Sequence, residues 1–168
     1  MCRRVDYTVP VMKLLLPLVL IGLVACGGDD DDDDGADGAD AGINCDFVME
    51  GQDTYAPGLE KIGAGGYTVR LMSATPAPPA KGDNDWTIEV LDDTSTATDG
   101  LDIDVKPFMP LHGHGTPIPA EVTAGGAPGT YNLNPVNMFM PGIWEITLDI
   151  GDGTTVEDSV MYKFCIDG

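Results

Sequence analysis

The chain has 168 residues and a formal net charge of −20, from 28 acidic against 8 basic side chains. A surface this negative repels phosphate backbones, so no nucleic acid is expected as a partner. It favours solubility and weak attraction of cations, and selects no particular ligand.

Taken in chain order, residues 1–25 have the parts of a secretory signal. Arg3, Arg4 and Lys13 precede the apolar run LLLPLVLIGLV at 14–24, and the small Ala25 stands before the expected cut. LVAC, residues 23–26, resembles the bacterial lipobox. That resemblance implies lipid on Cys26 and cleavage before it. The apolar run has 11 residues, short of the roughly 20 that a spanning helix needs. The expected partner is therefore the membrane, reached through a lipid anchor. The anchor would sit in the outer (or inner) membrane, facing the periplasm or the cell surface. Gly27 in place of an aspartate favours the outer membrane.

Residues 26–42 read as a lipidated cysteine followed by an acidic Gly/Asp tether. Six consecutive aspartates and interspersed glycines cannot bury a core. The run lacks the offsets and closing acid of a calcium loop.

Residues 43–168 are long enough for one folded domain. Their two cysteines, Cys45 and Cys165, lie near its two ends, and an exported chain favours a disulfide between them. Alternating apolar and polar residues recur at 67–73, 86–92, 101–109, 120–124, 130–134, 143–150 and 158–166. In IWEITLDI, Trp144, Ile146, Leu148 and Ile150 share one face and Glu145, Thr147 and Asp149 the other. Turn-forming stretches such as TPAPPAKGDND and GDGTT separate the runs. The expected fold is all-β, an immunoglobulin-like two-sheet β-sandwich of about seven strands. CDFVMEG reads as an edge strand, and GLEKIGAGG as a loop or a single helical turn.

No GxSxG, P-loop or HExxH motif is present, and no enzyme is expected. Acidic pairs such as Asp102 and Asp104 read as solvated β-surface. Chemistry concentrates instead in MPLHGHG, residues 109–115, which holds both histidines of the chain. Imidazole suits Cu(II) and thioether suits Cu(I). Met109, His112 and His114 lie close in sequence, and Met138 with Met140 forms a second pair in NPVNMFMPGIW. If a sandwich brings the two stretches together, they could form a mixed Met/His copper site. The competing reading makes the methionines core and the histidines turn residues.

Three segments occur in the order seen in the YtkA-like/FixH-like exported β-domain family, which this chain resembles: PAPPAKGDNDWTIEV, DVKPFMPLHGHG, and GGAPGTYNLNPVNMFMPGIWEITLDI. The landmarks are Gly82 and Asn84, Met109 to Gly115, Gly129 and Tyr131, and Met140 to Trp144. The resemblance spans about residues 67–166 and implies a sandwich that is exported or membrane-tethered. Some members sit near copper handling or oxidase assembly. It therefore points to Met109, His112, His114 and Met140 as copper ligands, with less support for Met138.

The expectation is a monomeric, lipid-anchored envelope protein that binds or chaperones copper. Its protein partner would be a copper-handling or oxidase-assembly protein. A blue-copper enzyme is not expected, because such sites need a cysteine ligand and neither Cys45 nor Cys165 lies near the loop in sequence. The alternative is a non-metal structural or protein-interaction β-sandwich module on the cell envelope.

Overall fold

Alternation of apolar and polar side chains drives the whole architecture, because each strand can hide only every second residue. The computed structural model describes Cys45 and residues 51–168. The signal segment, Cys26 and the acidic tether lie outside the described residues, as does most of CDFVMEG.

Among the described residues nine strands follow one another: β1 (Leu59–Ile62), β2 (Thr68–Thr75), β3 (Gly82–Leu91), β4 (Asp102–Met109), β5 (His114–Gly115), β6 (Glu121–Ala124), β7 (Thr130–Met138), β8 (Gly142–Gly151) and β9 (Val156–Ile166). One antiparallel sheet runs β1-β2-β3-β7-β6 and the other β5-β4-β8-β9. The chain crosses between sheets after β3, β5 and β7. All seven alternating runs form strands, and no helix occurs among the described residues.

Two short strands enlarge the expected seven. The first, β1, lies in GLEKIGAGG, where a loop or helical turn was expected. Its Leu59 packs against the core, and Glu60 pairs across to Arg70 at 2.8 Å. LEKI reads as polar because it is an edge strand, where charge deters unwanted pairing. The second, β5, has only the two residues of HG.

The core lies between the sheets. Trp86 of β3 meets Tyr162 and Phe164 of β9 edge-on, with ring centroids 5.8 Å apart in both pairs. Ile88, Leu133, Ile146, Leu148 and Ile150 are fully buried around them. Buried hydroxyls find backbone partners. Tyr162 donates to Val69 O at 2.9 Å, and Tyr131 donates to Thr98 O at 2.9 Å while accepting from Leu101 N–H at 3.0 Å. Tyr131 thereby ties the β3–β4 crossover to β7. Burial pushes the Tyr162 phenol well above its ordinary range.

Asn84 is fully buried and shows why a polar residue can sit inside. Its side-chain amide donates to Ala80 O at 2.8 Å, Gly82 O at 3.0 Å and Val136 O at 3.3 Å. Its side-chain oxygen accepts from Ala80 N–H at 2.9 Å. One side chain thus closes the proline-rich β2–β3 turn and bridges the irregular β3–β7 register beside Trp86. Cys45 and Cys165 form the expected disulfide, 120 residues apart, with Cα atoms separated by 5.7 Å.

Two stability outcomes are expected. Asn84→Ala orphans several buried backbone groups and should cost about 3 kcal/mol in urea unfolding. Reducing the disulfide should lower stability by about 2–4 kcal/mol, read from the same titration with and without reductant.

Candidate functional site

Because β4 alternates strictly, Met109 points inward at its end and the chain must turn directly after it. His112 N–H and Gly113 N–H both donate to Met109 O, at 3.1 and 2.9 Å. Gly113 takes a φ of 69°, a left-handed conformation that costs other residues about 1 kcal/mol. The chain then returns as β5, setting His114 opposite Met109 and Gly115 opposite Phe108. A Cβ on Gly115 would lie 2.9 Å from the Pro107 carbonyl oxygen, too close to fit without a backbone shift. Both glycines of HGHG are therefore required by a tight hairpin.

The imidazoles join an aromatic row. His114 is half-buried and lies on Phe139 with centroids 5.6 Å apart and planes tilted by 23°. His114 and Phe139 both meet the Trp144 ring at steep angles, at 6.5 and 5.7 Å, while the exposed His112 lies 5.7 Å from His114. The His114 Nδ1 sits 3.1 Å from Gly115 O, a contact that requires Nδ1 to carry the proton. The indole N–H of Trp144 donates to Met140 O at 2.9 Å, which gives MPGIW its local shape.

The copper expectation is corrected by this geometry. Met109 and Met138 are fully buried members of the hydrophobic core, and Met140 is half-buried against it. The two cysteines are joined to each other. Among the described residues, no group of three or more His, Cys, Asp or Glu side chains could hold a metal ion. MPLHGHG and NPVNMFMPGIW do meet, as a sandwich would require, but through His114, Phe139 and Trp144. Thioethers that were read as soft ligands fill space between the sheets instead.

The same end of the molecule carries side chains that the search for ligands passed over. Leu111 is 77% exposed, Phe108 42%, Ile118 41% and Phe139 37%. Beside them runs a groove of about 400 Å³ lined by Val105, Pro107, Phe108, Gly115, Pro117 and Pro119. The sequence did hold a signal for this surface. In a chain of net charge −20, residues 105–120 and 135–144 contain no acid at all. Acidic side chains resume down the outward face of β4, with Asp102 and Asp104 near Asp149 of β8. Lys106 bridges Asp149 at 2.5 Å and Asp104 at 3.0 Å, and its ammonium holds the Asp149 carboxyl below the ordinary range.

Fold and site together define an immunoglobulin-like β-sandwich whose glycine-turned hairpin packs on the Met-Pro-Gly-x-Trp entry to β8. The profile of the YtkA-like family matches residues 62–149, more than half of the chain, and the chain belongs to that family. Comparisons with curated proteins and with solved structures returned no match.

The hairpin geometry ranks its residues. Gly115→Val should destabilise the fold by about 2 kcal/mol and Gly113→Ala by about 1 kcal/mol, whereas His112→Ala should change it by less than about 0.5 kcal/mol. Thermal unfolding of the three variants checks the order.

Proposed function

We propose that this chain is a non-enzymatic protein-interaction module of the cell envelope, presenting the MPLHGHG end of its sandwich to another protein. The observation that carries this reading is the exposure of Phe108, Leu111, Ile118 and Phe139 within two stretches, 105–120 and 135–144, that hold no acidic residue in an otherwise strongly acidic chain. Clustered exposed apolar side chains mark interaction sites more often than solvated faces do. The row from Phe139 through His114 to Trp144 gives that surface a rigid base, so little ordering is needed on binding.

The envelope location has separate support. The Cys45–Cys165 disulfide suits an oxidising compartment. The lipobox-like LVAC and the aspartate run suit a domain held at a distance from a membrane by lipid on Cys26. In this reading the glycines and prolines shape the contact surface, and the histidines act as flat, amphipathic contact rings.

Photo-crosslinking in cells tests the reading. A photoreactive residue at Leu111 or Phe139 should give discrete protein adducts. The same residue at Thr87, on the polar face of the five-stranded sheet, should give none. Adducts at Leu111 should disappear with Phe108→Ser plus Ile118→Ser in a chain that still unfolds cooperatively. Equal adduct patterns from all positions would remove the reading.

A further inference from the structure

The two edges of β4 differ sharply. One edge pairs with β8 along the strand, from Asp102↔Gly151 to Phe108↔Glu145. Among the described residues, the other pairs with β5 at Phe108 and Met109 alone. Because the Pro107 carbonyl lies against Gly115, the odd-numbered residues of β4 turn their backbone groups toward this second edge. Ile103 and Val105 therefore present N–H and C=O groups there, and Pro107 presents only its carbonyl.

The surroundings of this edge are graded. At the hairpin end lies a mainly apolar groove walled by Val105, Pro107, Phe108, Pro117 and Pro119, with Lys106 also on its lining. At the other end Asp102 and Asp104 stand exposed on the outward face of β4, with Asp149 beside Asp104 on β8. Three carboxylates face one ammonium, that of Lys106, so this end remains negative. An extended chain laid along the edge would meet backbone hydrogen-bonding groups, then an apolar wall at one end and carboxylates at the other. Alternate side chains of a strand point to one face, so such a chain places every second residue over the acidic and apolar positions.

We infer that the free edge of β4 accepts an extended segment of a partner protein by strand addition, and that this segment is basic where it passes Asp102 and Asp104 and apolar where it enters the Phe108–Pro117 groove. The inference rests on the interaction reading above and gives that surface its occupant. Charge complementarity selects the occupant: an acidic or neutral strand gains nothing at Asp102 and Asp104, and the net charge of −20 repels acidic chains at a distance. Pro107 limits the added pairing to the Ile103–Val105 stretch, which keeps the edge from joining indiscriminately to any exposed strand.

The test uses the purified full chain and two short capped peptides, one alternating lysine with valine and the other glutamate with valine. The lysine peptide should bind and slow amide exchange at Ile103 and Val105 by about tenfold at saturation. Asp102→Asn plus Asp104→Asn alters only exposed side chains and should weaken that binding by about tenfold without changing protection in the core. Equal binding of the glutamate peptide, or unchanged exchange at Ile103 and Val105, would overturn the inference. So would protection of those amides without peptide in a concentration-dependent dimer, which would make the occupant a second copy of this chain. If these failures coincide with discrete adducts at Leu111, the interaction reading stands and only strand addition is lost. Loss of those adducts removes the reading itself.

Discussion

The perpendicular contact of Trp86 with Tyr162 and Phe164 is the constraint from which the rest of the sandwich follows. It spans the two sheets and sets their separation at one point with rings that cannot flex. Trp86 itself is fixed by its neighbourhood: two residues before it, Asn84 uses its whole side-chain amide to hold the turn and the β3–β7 irregularity in place. The indole N–H of Trp86 finds no acceptor among the described residues. The cost of that unmet donor is offset by the apolar area that an indole removes from water. With β3 and β9 locked, the faces of the remaining strands are determined, because a slip of one residue would turn every core side chain outward.

That same rigidity explains the HGHG hairpin. Once Met109 must point inward, the next residues have little room in which to reverse direction, and glycine is the residue that can do it. A metal site would require the opposite economy, with side chains converging on a point and sulfurs held near the surface. Here the sulfurs of Met109 and Met138 serve the core, and His114 rests on carbon rings. The loop therefore shapes a surface in place of a ligand cage.

Much of this was legible in the sequence. Period-two alternation located seven strands, and the oxidising context paired Cys45 with Cys165. Two strands escaped notice for physical reasons. The alternation of β1 is hidden by Glu60 and Lys61, side chains suited to an edge, and β5 is too short to show any period. The candidate site was legible as a place and misread as chemistry. Methionine looks the same in sequence whether its thioether is offered to a metal or packed against leucine, and only the inward register of β4 and β7 decides. Phe139 and Leu111 were overlooked because apolar residues are ordinarily assigned to the core. The absence of acid around them was the signal that they stay outside.

The disulfide has a mechanical consequence. Any tension arriving through the residues before Cys45 passes by a covalent bond directly into Cys165, close to the end of the longest strand. The load then bypasses β1, whose four residues would peel from β2 one hydrogen bond at a time. It falls on β9, which pairs with β8 from Gly142↔Ile166 to Gly151↔Val156, so that many bonds resist together when β9 is pulled along its length. A domain pulled from this side would hold its shape under forces that would strip a strand of four residues away.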